Sequence, residues 1–120
     1  MTKENLKRLI KELAEEYTDA ICLEEGGRTL VKIPSVDLPD GCSPASTTAL
    51  VVLDEGQPTP QLFLKTLPTL PNGKTPRSVS AATFAGDSWH GFSFKQQWDE
   101  NSHTAVQFVE GRLRRFALSE

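Results

Sequence analysis

Two histidines, His90 and His103, and two cysteines, Cys22 and Cys42, are the side chains best suited to act as nucleophile, general base or metal ligand near neutral pH. Their spacing excludes much. There is no CxxC pair and no Cys/His cluster, so no metal site is expected. His90 and His103 stand too far apart in sequence to imply a metal pair, and no two carboxylates are spaced as an acid/base couple. His90 lies in the run Trp89-His90-Gly91-Phe92-Ser93-Phe94, which leads to Trp98. Three roles are open to it: a structural histidine among aromatics, a contact for a partner, or a catalytic base or carrier of a transient acyl group. An acyl-imidazole hydrolyses readily, so it is a poor carrier.

Cys42 sits in Gly41-Cys42-Ser43-Pro44, a turn expected to expose the chain. A reactive thiol needs a cation or a helix N-terminus to lower its pKa, whereas Asp37 and Asp40 flank this one and act the other way. Cys22, at an apolar strand position, reads as core. Trp89, Phe92, Phe94 and Trp98 are core if they point inward and a recognition platform if they are exposed. His103 is expected to be exposed at the start of the last helix, with Asn101 or Ser102 as its cap. Arg112, Arg114 and Arg115 suit the negative end of that helix, or a contact with an acidic partner, with Asp99 and Glu100 near its start.

The elements that must position these residues follow from periodicity. Leu6, Leu9, Ile10, Leu13, Ala14 and Tyr17 recur at helical spacing over 3–17, with Thr2 as N-cap. The opposite, charged face pairs Glu4 with Arg8 and Lys11 with Glu15, and is either solvated or a docking face. Residues 20–24 and 28–33 read as strands around a Gly26-Gly27 hairpin turn. A loop over 34–47 leads to a continuous apolar strand, Thr47–Leu53, that should be central. Pro58 and Pro60 mark a turn before Leu62-Phe63-Leu64. Residues 66–88 contain three prolines and an Asn-Gly pair and read as a long irregular crossover. A second helix over about 103–117 buries Ala105, Val106, Val109, Leu113 and Phe116. The expected class is α+β: an N-terminal helix, a four-stranded antiparallel meander, a long flap and a C-terminal helix.

A chain of 120 residues is one domain by size, and 38% hydrophobic content gives it one modest core. The net charge of −3 argues against nucleic acid or a membrane surface as partner. Residues 1–60 hold six Lys/Arg and eleven Asp/Glu, and residues 61–120 hold seven and five, so the two halves differ in sign. No apolar signal core or membrane-length run is present. A cytoplasmic protein with free thiols and no cofactor is expected.

The order of elements, with four local matches, resembles the ubiquitin-conjugating (E2) superfamily, and most closely the bacterial E2-like proteins of the prokaryotic E2 family E kind. Leu38-Pro39-Asp40-Gly41 is similar to the Leu-Pro-x-Gly of that bacterial group. Leu53 to Lys65, with Pro58 and Pro60, resembles the E2 proline turn. Gly86–Trp89 after the long loop resembles the active-site flap. Trp98 and the helix beyond it resemble the tryptophan and helix that follow the catalytic cysteine. The match spans nearly all of residues 1–120 as a single E2-like domain. It implies a thioester-forming cysteine eight residues before the tryptophan, and here that residue is His90. The family's His-Pro-Asn tripeptide is absent; its nearest fragment, Pro71-Asn72-Gly73, lies eighteen residues before His90, counted from Asn72. The resemblance therefore implies a non-catalytic E2-like component that binds through Trp89, His90, Phe92 and Trp98. Its implied partners are an E1-like activating enzyme, a ubiquitin-like protein, and a JAB-type metallopeptidase of the same operon. The alternatives are a small α+β adaptor or chaperone, an active E2 using Cys42, and a hydrolase using His90 or His103.

Overall fold

The computed structural model describes residues 1–76, 79–92, 98–99 and 101–117. Phe94 and Glu100, both singled out above, lie outside them. Helix α1 spans Lys3–Glu16. Thr2 caps it by accepting the Asn5 N–H through its hydroxyl, and the Tyr17 N–H closes its far end on the Leu13 carbonyl. The anticipated apolar stripe is the one that faces inward, with Leu9 and Leu13 fully buried. Part of the charged face is used as well. Arg8 bonds Glu12 at 3.0 Å and the His103 carbonyl at 3.2 Å, and Glu12 accepts the Ala105 N–H at 2.9 Å. This pair ties α1 to the start of the last helix.

Strands β1 (Ile21–Glu25) and β2 (Arg28–Asp37) meet at Gly26-Gly27, whose φ values of +60° and +79° are those of a two-residue hairpin turn. Strands β3 (Ser46–Leu53) and β4 (Gln61–Leu64) continue the antiparallel meander. Two more strands follow, β5 (Val79–Phe84) and β6 (Asp87–Phe92), joined by a tight turn at Ala85-Gly86. Helix α2 spans Ala105–Arg114 and ends in a 3-10 turn, Arg115–Ala117. Its N-cap is Thr104, in a reciprocal capping box with Gln107, rather than Asn101 or Ser102.

The sheet thus has six strands in the order β1-β2-β3-β4-β6-β5, not four. The expected flap is correct only up to residue 76, where prolines bar regular structure. Beyond it, β5 has small residues between Val79 and Phe84 and fully buries only Phe84, so it has no alternating apolar signal.

Both faces of the sheet are buried at its centre. On one face Ala49, Val51 and Leu53 of β3 pack with Leu9, Leu13, Phe108 and Val109 of the two helices. On the other, Leu30, Leu50, Val52, Phe63, Phe84 and Trp89 form a second core, and among the described residues no helix covers it. The sheet closes that face by curling. Glu25, at the β1–β2 turn, accepts the N–H of Ala85, at the β5–β6 turn, at 2.6 Å. These hairpins stand at opposite ends of the strand order, so the contact brings the two margins together.

Candidate functional site around His90

Strand β6 places His90. It registers between Leu64 of β4 and Ala81 of β5. Side chains alternate along a strand, so His90 and Phe92 face the helix side while Trp89 faces the second core. Phe92 rests edge-on against Phe116, with ring centroids 4.9 Å apart. His90 is half-buried, and among the described residues no hydrogen bond or ion pair holds its imidazole. Its flanks are an aliphatic leucine and an alanine. Among the described residues, no carboxylate orients it and no hydroxyl or thiol is bonded to it to be activated.

The expected recognition set divides. Trp89 is 2% exposed, its indole N–H donates to the Phe84 carbonyl at 3.3 Å, and the Lys65 ammonium lies 5.3 Å from its ring centre. It is a core side chain and cannot serve as a platform with His90. Trp98 is half-buried and structural in its contacts. Its indole N–H donates to the Pro58 carbonyl at 3.1 Å, its ring stacks on His103 at 5.6 Å, and its edge meets Phe108. It clamps the proline turn to α2. Of the four, His90 and Phe92 share a face, and β5, which the sequence reading missed, supplies the surface next to them. The Phe84-Ala85-Gly86-Asp87 turn was the available signal for that hairpin.

The thiols are placed opposite to expectation. Cys42 is buried rather than displayed in a turn, and its Sγ donates to the Phe116 carbonyl at 3.6 Å. Two backbone bonds between Ser43 and Thr69 hold this loop down. Burial pushes the Cys42 thiol up from its ordinary pKa of 9.0, which disfavours the thiolate a nucleophile requires. Cys22 is exposed on β1 rather than in the core. Partial burial, and then the Glu24 carboxylate, raise its pKa too.

His103 is half-buried rather than exposed. Its Nδ1 accepts the Asp99 N–H at 2.8 Å, which leaves it with a positioning role in the turn before α2. Asp99 has a lowered pKa, chiefly from the Asn101 N–H and then the Ser102 hydroxyl. Among the described residues, no three His, Cys, Asp or Glu side chains converge as metal ligands, and no helix is long and apolar enough to cross a membrane. No family model matches this chain, and no curated protein or solved structure does either.

Proposed function

We propose that this chain is a non-catalytic E2-like protein that works by binding an E1-like activating enzyme, a ubiquitin-like protein, or both. A JAB-type metallopeptidase would be a further partner in the same pathway. The carrying observation is the setting of His90. It stands at the E2 nucleophile spacing from Trp98, yet lies in mid-strand between Leu64 and Ala81, and among the described residues no group is bonded to it to activate it. Cys42 does not replace it, being buried and bonded to a carbonyl. The meander of β1–β4 and the two helices packed on one face of it are compatible with an E2-like frame.

The test incubates the chain with the cognate activating enzyme, the ubiquitin-like protein and ATP. The expected result is a measurable complex and no covalent adduct, with affinity reduced in His90→Ala. A reductant-sensitive adduct lost in Cys42→Ser overturns this reading in favour of an active E2. An adduct that survives reductant but vanishes in His90→Ala makes His90 the acyl carrier.

One observation favours the second reading, an α+β adaptor or chaperone outside ubiquitin-like transfer. A regular β5–β6 hairpin extends the sheet where a flap was expected. Absence of binding to any of the pathway proteins would select it. The hydrolase reading loses its support, because neither histidine has a nucleophile bonded to it among the described residues.

A further inference from the structure

Among the described residues, the large apolar side chains left exposed are Ile21, Leu23 and Val79, and all three lie on the two edge strands, β1 and β5. Ile21 and Leu23 make the stronger pair. They flank Cys22 and therefore project from one face of β1, beside Lys32 and Leu30 of β2. Strand β1 is paired on one side only, and each of its residues is exposed. The turn sets the phase of its ladder. Gly26-Gly27 closes a two-residue hairpin, so Glu25 and Arg28 exchange both backbone bonds, and by alternation so do Leu23 with Leu30 and Ile21 with Lys32. The backbone N–H and C=O groups of Cys22 and Glu24 therefore point away from β2. An open edge of this kind is a template for another strand.

We propose that β1 is a self-pairing edge: two copies of the chain join antiparallel through it, around a two-fold axis at Cys22. Register decides the arrangement. With Cys22 opposite Cys22 of the second copy, each Ile21 faces the other copy's Leu23 in a close, non-hydrogen-bonded pair, with Cα atoms about 4.5 Å apart. Both exposed apolar side chains are then covered, twice over. Glu24 faces Ala20, and one like-charged pair, Glu25 against Asp19 of the second copy, falls at each end of the ladder. The two Cys22 residues exchange backbone bonds, and each Glu24 N–H reaches an Ala20 carbonyl. The Ala20 N–H takes no part, because it already donates to the Tyr17 carbonyl at 2.9 Å. The other register that uses the same free groups centres on Leu23. It sets Glu25 against Ile21 and Glu24 against Cys22, which places carboxylates on apolar neighbours. A two-fold contact also closes on itself as a dimer, whereas pairing of β1 with β5 is head-to-tail and builds a ring or an open filament. Asp19, Glu24 and Glu25 gather near the axis, so added salt strengthens the association.

Sedimentation velocity across a concentration series in reducing buffer tests the proposal. The expected result is a reversible species of twice the 13.2 kDa chain mass. Leu23→Lys should weaken its association at least about tenfold, and Ile21→Lys should act alike. Both positions are exposed, and circular dichroism melting verifies that the variants fold. A short bis-maleimide, which adds one thiol at each end, should link two chains through Cys22 and fail in Cys22→Ser or Leu23→Lys. A chain that stays monomeric at every concentration overturns the proposal. So does a dimer that both lysine variants leave intact, or growth into open filaments.

Discussion

Cys22 and Cys42 show how little residue type decides on its own. Cys22 alternates with apolar neighbours, but its strand is an outer edge and its side chain meets solvent. Cys42 follows a glycine turn, yet that turn is pressed against the 69–71 segment, where a side chain at Gly41 would come within 3.0 Å of Pro71. A thiol reagent at neutral pH should therefore modify Cys22 in the folded protein and reach Cys42 only on unfolding, as a two-phase titration would show. Equal rates for both would refute the buried placement. The sign of the pH effect follows from the raised values. Cys42 and Tyr17 hold their protons more firmly than the ordinary 9.0 and 10.0, through burial and, for Tyr17, then Glu110 and Glu16. Their contribution to stability is complete below pH 9 and is lost as pH rises through the folded values. The melting temperature should fall as pH rises above about 9.

Among the elements, β6 carries the tightest constraint. Gly91 faces the second core, and a Cβ there would lie 2.8 Å from both the Phe63 ring and the Ser80 hydroxyl. Gly91→Ala should cost about 1–3 kcal/mol in urea unfolding, because the Phe63 ring, packed edge-on against Phe84, must shift to admit the methyl group. A neutral substitution would mean that Phe63 does not seat on the glycine. Helices were easier to read than strands for a physical reason. The stripe from Leu6 to Tyr17 repeats over several turns, and Thr2 announces its start, so local spacing suffices. Strand β5 has neither signal. Apart from Val79 and Phe84 its residues are small, all but Ala82 and Phe84 are exposed, and its ladder is with β6. The short motifs behind the expected E2-like order were legible, whereas strand β5, which falls within the expected flap, was not.

At the scale of the molecule, the curl of the sheet explains the second core. The Glu25 carboxylate on the Ala85 N–H fastens hairpins from opposite margins. Glu25→Ala should lower stability by about 1 kcal/mol, a charged hydrogen bond discounted for its exposure, and should speed hydrogen exchange in β5 and β6 before the rest of the sheet. Uniform exchange across all six strands would argue against this latch. The same curl removes Trp89 from any binding surface while leaving His90, one residue later, on the opposite face. Sequence alone was enough for the α+β class, for both helices and the Gly26-Gly27 hairpin, and for the spacing that makes His90 conspicuous. These depend on local periodicity and on backbone preferences carried by single residues. Which side of the sheet each aromatic occupies, which thiol meets solvent, and whether His90 has a chemical partner were decided only by tertiary structure. Each depends on strand register and curl, which are set by contacts between residues far apart in the chain.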